Sequence, residues 1–194
     1  MTQQELKSYY AKDRKAWRNW LQKNHAKSPG IWLIYYKKDS GKSRVEYSDA
    51  VEEALCFGWI DSTMRPLDEN SFIQRFSPRK PKSNWSALNK KRIEKLIKEG
   101  LMDSAGLERI ELAKKNGSWE NIDHVENLEI PPDLKKAFLK NKKAWRGFNN
   151  FGKFRRKQFL YRLGSAKLPG TRAKRIEEII TLSSENKKSF RNPR

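Results

Sequence analysis

This chain has little of the chemistry from which most enzyme and metal sites are built. Its 194 residues include one cysteine, Cys56, and two histidines, His25 and His124. One cysteine cannot form an internal disulfide, and a lone cysteine with two distant histidines lacks the ligand spacing of a zinc site. No glycine-rich phosphate loop, nucleophile elbow or paired-carboxylate motif occurs. The sequence therefore predicts no cofactor, no metal and no catalytic residue.

Long apolar runs are also missing. Residues 1–10 contain no basic segment followed by an apolar one, and no later stretch approaches the length needed to span a bilayer. We therefore expect a cytoplasmic protein, and the single cysteine agrees with a reducing compartment. Aromatic side chains, by contrast, are plentiful, since the chain has seven tryptophans and an aromatic content of 11%. Such large apolar groups predict a folded core.

Acidic residues are few compared with basic ones. The chain has 43 lysines and arginines against 23 aspartates and glutamates, which gives a formal net charge of +20. A surface of this kind attracts polyanions, and the candidates are nucleic acid, anionic lipid headgroups and acidic proteins. The alternative is that the charge serves solubility alone, because the lysines are spread along the whole chain instead of forming one stripe.

Periodicity in the N-terminal half predicts alternating helices and strands. Apolar residues at helical spacing predict a helix over residues 13–24, and a short aromatic and β-branched run predicts a buried strand over residues 31–36. A second helix is predicted over residues 47–55, with Ser48 as its N-cap and Gly58 just beyond its end.

A hairpin and two helices are predicted next. Two strands within residues 60–76, joined by a polar segment, form a hairpin against the strand at residues 31–36. N-cap residues at 83–86 begin a helix that reaches residue 99, and another helix spans residues 104–116. The apolar residues expected to face inward from these two helices are Trp85, Leu88, Leu96, Ile97, Leu107, Ile110 and Ala113.

The C-terminal third has a different character. Residues 120–129 are acidic and without periodicity, and two prolines follow at positions 131 and 132. Four helices are predicted beyond them, over residues 133–140, 142–150, 153–163 and 171–182. We therefore predict an α+β fold, with a small antiparallel sheet packed with helices over residues 1–122, a linker over 123–130, a small all-helical domain over 131–184 and a frayed basic tail over 185–194.

One candidate ligand site lies in the middle of the chain, between residues 61 and 89. Arginine forks bind phosphate in bidentate fashion, an indole ring can stack on a base, and an amide can bind a base edge. A carboxylate after a buried aromatic segment can accept from an arginine or act as a base. In the alternative reading, the tryptophan belongs to the core and the arginines tie the hairpin to the helix. The residues of this site are Asp61, Arg75, Arg79, Trp85 and Asn89.

A second candidate surface lies on the last two predicted helices. Cations there flank the turn at residues 167–170, which suits a helical nucleic-acid binder or, alternatively, a solvated basic face. The residues assigned to this surface are Lys153, Arg155, Arg156, Arg172 and Arg175.

Four segments resemble one known family. They are residues 53–62 (EALCFGWIDS), 74–89 (QRFSPRKPKSNWSALN), 100–106 (GLMDSAG) and 165–176 (SAKLPGTRAKRI). Together they are similar to the YdeI/OmpD-associated family of bacterial proteins, also called bacteriocin-protection proteins, over roughly residues 17–180. The resemblance implies a protective role and supplies neither a reaction nor catalytic residues.

These observations lead to a functional hypothesis with one alternative. We expect a non-enzymatic bacteriocin-protection or stress-type protein whose basic surface binds an anionic partner, with nucleic acid as one candidate. The alternative is a small-molecule sensor or enzyme that uses a cleft around Asp61, Arg75, Arg79 and Trp85. Cys56, among apolar neighbours at a helix end, is expected to be a buried structural thiol.

Overall fold

The chain divides between Asn121 and Ile122 into two units, Met1–Asn121 and Ile122–Arg194. A computed structural model describes residues 6–187. The first unit combines a sheet with helices and the second contains helices, so the predicted α+β class is confirmed. Within the described residues, no helix is both long and apolar enough to cross a membrane.

Within residues 6–121, the first unit contains four strands and four α-helices. Most of them begin and end close to the predicted positions. In chain order they are β1 (Ser8–Tyr10), α1 (Arg14–Asn24), β2 (Ile31–Tyr36), α2 (Tyr47–Cys56), β3 (Trp59–Pro66), β4 (Ser71–Pro78), α3 (Ala87–Lys98) and α4 (Ser104–Lys115), with a short 3₁₀ turn at Lys38–Ser40.

The sheet has the strand order β1-β2-β4-β3 and is mixed. The predicted hairpin of β3 and β4 pairs with β2 in antiparallel fashion, but β1 adds a parallel edge strand that the sequence pattern did not indicate. Because side chains alternate along a strand, one face carries Leu33, Tyr35 and Phe76 and the other carries Trp32 and Arg75. We call these the inner and outer faces.

The inner face packs on a core rich in aromatic rings. Trp17, Trp59 and Phe76 are completely or almost completely buried, and the Trp17 ring meets the Phe76 ring edge-on at 5.2 Å. The Trp17 indole N–H donates to the Ala50 carbonyl oxygen at 3.0 Å, and the Trp59 indole N–H donates to the His25 carbonyl oxygen at 3.2 Å. Both buried indoles therefore keep a hydrogen-bond partner, as a low-dielectric interior requires.

Some details of the predicted helix faces are wrong. Leu88, Ile97 and Leu107 are 59%, 49% and 42% exposed, whereas Ile93 is buried beside Leu96. Helix α3 packs against α2 and buries Ile93 and Leu96, about one helical turn apart, so the other apolar residues face solvent. The predicted N-cap Ser48 lies inside α2, whose N-cap is Glu46 without a side-chain hydrogen bond.

A network of ion pairs around the buried carboxylate of Glu53 joins α1 to α2. Glu53 is 2% exposed, and its two carboxylate oxygens lie 2.6 Å from Arg14 Nε and 2.6 Å from Arg18 Nη1. Arg14 also contacts Glu52 and Asp49. A buried carboxylate is costly unless it is paired, and here two arginines compensate the charge of Glu53.

The second unit has its own apolar core. Its helices are α5 (Asp123–Glu126), α6 (Pro132–Lys140), α7 (Lys142–Asn150), α8 (Lys153–Gly164) and α9 (Pro169–Ser184). Phe148 and Phe159 are buried at its centre, and α7 crosses α9 so closely that a Cβ atom added to Gly147 would lie 1.8 Å from the Ser183 carbonyl oxygen.

The segment 123–130, expected to be a linker, packs against this core. It contains the short helix α5, Val125 is buried, and Leu128 and Ile130 are partly buried among the residues of the second unit. Three apolar side chains at irregular spacing do not give a periodic signal, which explains the missed helix. Of the predicted tail at 185–194, residues 188–194 lie outside the described part of the chain.

Candidate functional site

A polar cluster on the inner face surrounds Asp61. The Tyr47 hydroxyl donates to Asp61 Oδ2 at 2.8 Å, and Gln74 Nε2 donates to the same oxygen at 3.1 Å. Gln74 is buried and also donates to the Ser62 carbonyl oxygen. Partial burial and the adjacent carboxylate raise the pKa of Tyr47 to about 12, so this hydroxyl remains a donor at neutral pH.

Arg79 is the buried cation near this cluster. Its guanidinium lies 3.6 Å from the centre of the Trp85 ring, and its Nη2 donates to the Asn84 carbonyl oxygen at 2.5 Å. The residue is 4% exposed, yet Nε and Nη1 have no hydrogen-bond partner among the residues that the structure describes. Burial lowers the pKa of Arg79 to about 10, partly offset by Asp61, so the side chain is charged at neutral pH.

Trp85 and Asn89 both have structural contacts. Trp85 is 2% exposed, with Arg79 over its ring and the Trp119 ring 5.1 Å away. Asn89 Oδ1 accepts a hydrogen bond from Arg92 at 3.1 Å. The Trp85 ring is therefore enclosed, and it cannot stack on a ligand unless Arg79 or Trp119 moves.

Arg75 does not join the predicted site. It pairs across the sheet with Trp32, on the outer face, and its side chain is exposed. Strand alternation places it on the opposite side from Gln74 and Phe76, which face the core. Arg75 and Asp61 therefore lie on opposite faces of the sheet, and the structure does not bring the five predicted residues together in one site.

Two tyrosines complete the inner-face cluster, and the sequence pattern did not single them out. Tyr47 donates to Asp61, and the buried Tyr35 hydroxyl has no hydrogen-bond partner among the described residues. Burial is the main cause of a raised pKa for Tyr35. The alternation of β2 could have placed Tyr35 on the core side, but nothing local in the sequence indicates its neighbours.

The outer face presents aromatic rings together with cations. The Tyr10 and Tyr36 rings meet edge-on at 5.1 Å. Arg65 lies over the Trp32 ring at 4.2 Å, and Lys42 lies over the Tyr36 ring at 4.2 Å. None of these residues belongs to either apolar core. In the described strands, no aspartate or glutamate occupies a paired outer-face position.

Two concave surfaces lie away from the predicted ligand residues. A cleft of about 820 Å³ in the first unit and a groove of about 440 Å³ in the second contain none of the five. The first is lined by residues that include His25, Lys27, Phe57, Glu108 and Arg109, and the second by Lys135, Phe138, Leu139, Lys142, Trp145 and Arg146.

Two arginines of the predicted C-terminal basic surface, Arg172 and Arg175, make contacts within the second unit. Arg172 makes a two-point ion pair with Asp133, at 2.5 and 3.0 Å, which lowers the pKa of that carboxyl group. Arg175 donates to the Arg162 carbonyl oxygen and to Ser165 Oγ at the end of α8. Both arginines thus tie α9 to neighbouring helices, whereas Lys153 is exposed and Arg155 is partly exposed.

Two families match different parts of the chain. Residues 9–109 match a domain of unknown function, DUF8412, and residues 127–186 match the family described as Bacteriocin-protection, YdeI or OmpD-Associated. The predicted resemblance is therefore confirmed for the C-terminal part, while the motifs within residues 53–106 lie in the other match. No curated protein and no solved structure matches the chain.

Proposed function

We propose that this chain, which belongs to the family of the domain of unknown function DUF8412, acts without catalysing a reaction, by binding an anionic partner on its basic surface. The bacteriocin-protection domain matched at residues 127–186 is the reason for proposing a protective role. Neither family description names a reaction, and the polar cluster around Asp61 is occupied by hydrogen bonds within the fold.

The observation that carries the proposal is the distribution of charge over the first unit. Its buried carboxylates are compensated internally, since Glu53 is paired with Arg14 and Arg18. On the outer face Arg65 and Arg75 are exposed, and no carboxylate occupies a paired strand position on that face within the described residues. Together with a net charge of +20, this arrangement favours contact with a polyanion.

Salt dependence of binding tests the proposal. Release of counterions from a polyanion makes affinity fall steeply with salt, and we expect a loss of roughly tenfold or more between 50 and 200 mM salt. The measurement is fluorescence anisotropy with labelled single-stranded DNA, single-stranded RNA and a heparin fragment. The proposal is wrong if none of the three binds at the lower salt concentration.

A pair of double variants tests whether the outer face is responsible. One variant combines Arg65→Ala with Arg75→Ala on the outer face. The control combines Lys136→Ala with Lys140→Ala on α6, and it removes the same charge from the other unit. We expect the first pair to weaken binding more than the second. Equal losses would mean that net charge alone drives association and would remove the outer face from the proposal.

A small ligand near Arg79 is the second candidate function. It is supported by the two buried N–H groups of Arg79 that have no acceptor among the described residues, because an unsatisfied buried donor is costly. An oxyanion or a neutral acceptor would relieve this cost. Thermal denaturation of the parent and of Arg79→Lys against phosphate and small carboxylates tests the idea, which fails if no compound shifts the parent.

A further inference from the structure

The outer-face rings lie where they can meet a ligand. Tyr10, Trp32 and Tyr36 occupy paired strand positions on the same side of the sheet, and Trp32 and Tyr36 lie four residues apart on β2. Between them Ile34 is partly exposed, and Ile73 is buried without belonging to either apolar core. Neighbouring side chains on the outer face therefore cover Ile73, whose cross-strand partners are Ile34 and Arg65.

Cations lie beside two of these rings, Trp32 and Tyr36. Arg65 lies over Trp32, Lys42 lies over Tyr36, and Arg75 is the cross-strand partner of Trp32. Rings that can stack, next to cations that can neutralise phosphates, are the combination found in surfaces that bind single-stranded nucleic acid. We infer that the outer face, formed by Tyr10, Trp32, Tyr36, Arg65 and Arg75, binds single-stranded nucleic acid by stacking its bases.

The contact between Arg65 and Trp32 does not prevent this. An exposed cation–π contact contributes about two- to fivefold to an equilibrium. A base stacked on an aromatic side chain contributes roughly five- to 150-fold in affinity. A base can therefore displace Arg65 from the Trp32 ring and leave the guanidinium free to bind a phosphate.

The same chemistry favours single strands over duplexes. In a duplex the faces of the bases are already stacked and hidden, so the rings of the outer face would gain nothing from them. A heparin chain offers charge without bases and uses only the cations. The inference rests on the proposed function, since it assigns a partner class to the same basic surface.

An abasic oligonucleotide separates stacking from charge. Full-length protein is titrated by anisotropy with a labelled single-stranded oligonucleotide, an abasic strand of the same length, the matching duplex and a heparin fragment. We expect the single strand to bind at least about tenfold more tightly than the abasic strand. If the abasic strand and heparin bind as tightly as the single strand with bases, stacking is excluded and the proposed function survives. If no polyanion binds, both are wrong.

Matched tryptophan variants locate the surface. Trp32→Leu should weaken single-strand binding about tenfold with little change in its salt dependence, whereas Arg65→Ala should reduce the salt slope by about one. The control is Trp145→Leu, which replaces a tryptophan that is 41% exposed in the other unit. Tyr36→Leu serves as a second variant if Trp32→Leu unfolds. Unchanged binding by a folded Trp32→Leu or Tyr36→Leu protein overturns the inference.

Discussion

At the scale of single residues, Arg79 combines strong packing with incomplete hydrogen bonding. The guanidinium covers Trp85 and donates to Asn84, but Nε and Nη1 have no partner among the described residues. A flat guanidinium stacks on an indole better than an ammonium group does. Replacement by an apolar residue of similar length would instead remove the unpartnered donors. We therefore expect the stability of the fold to depend on the shape of the side chain at position 79 more than on its charge.

We expect Arg79→Lys to lower the free energy of unfolding by about 1–3 kcal/mol, through lost stacking and a lost hydrogen bond. Arg79→Met, which keeps much of the contact with Trp85, should cost less. Urea denaturation of both variants measures the difference. A methionine variant less stable than the lysine variant would show that the charge itself stabilises the fold.

Cys56 is the second residue with a defined expectation. It is fully buried, and burial raises the pKa of its thiol to about 11, partly offset by Arg18. Because the thiolate is the reactive species, native Cys56 should react with a thiol reagent at pH 8 more than about a hundredfold slower than an exposed cysteine. Reaction of the folded protein at the rate of the urea-unfolded protein would contradict this.

The same raised pKa gives a pH dependence with a definite sign. The folded pKa lies above the unfolded value, so the contribution of the neutral thiol to stability is complete below about pH 9 and is lost as the pH rises toward 11. Cys56→Ala should cost about 1 kcal/mol or more in packing and should lose this component of the alkaline slope. Urea denaturation of both proteins between pH 7 and 10.5 measures how the free energy of unfolding changes with pH. The same pH dependence in the parent and in Cys56→Ala would refute this expectation.

At the scale of elements, close helix contacts fix the second unit. Gly147 on α7 lies against the backbone of Ser183 on α9, and an added Cβ would meet the Ser183 carbonyl carbon at 2.8 Å and its oxygen at 1.8 Å. Backbone atoms cannot move aside as a flexible side chain can. The two helices must therefore separate to accept any larger residue.

We expect Gly147→Ala to destabilise the protein by about 2–3 kcal/mol or more, as overpacking does in a well-filled interior. Gly152→Ala is the control, because an added Cβ there meets nothing within 4 Å and the residue has a negative φ of −59°. Thermal denaturation compares them. Equal stability of the two variants would mean that α7 and α9 are not in close contact.

At the scale of the whole molecule, residues 6–187 form two separate apolar cores. The first includes Trp17, Trp59 and Phe76, and the second includes Phe148 and Phe159. Each core is closed by elements from its own part of the sequence, which is the usual condition for independent folding. Six of the seven tryptophans lie before residue 122, and Trp145 follows it.

The fragment of residues 122–194 should therefore fold alone. We expect it to unfold cooperatively, with Trp145 fluorescence and far-ultraviolet circular dichroism giving the same midpoint. The fragment of residues 1–121, followed by its own tryptophans, is the companion measurement. A fragment 122–194 without helical signal would show that the second unit depends on the first.

Local signals in the sequence determined much of the secondary structure. Helical periodicity located α6 and α7 within a residue or two, and Pro132 stands at the first position of α6, where a missing N–H has no cost. Gly58 follows α2 with a positive φ, in agreement with its predicted place just beyond the helix end. The net charge of +20 also follows from the sequence alone. These properties depend on neighbours in the chain, so a single sequence is enough to predict them.

Tertiary structure decided the rest. The three-residue strand β1 is too short to carry a signal and exists because it pairs with β2. Strand alternation alone would place Arg75 and Arg79 on the same face, but β4 ends at Pro78, and Arg79 beyond it is buried against Trp85 while Arg75 stays on the outer face. The Trp119 ring lies against Trp85, and Arg65 lies over the partly exposed Trp32, so both contacts join distant segments of the chain. Alternation along a strand determines which side chains lie on each face of the sheet. Packing of the helices on the inner face decides which of these side chains remain accessible to a partner.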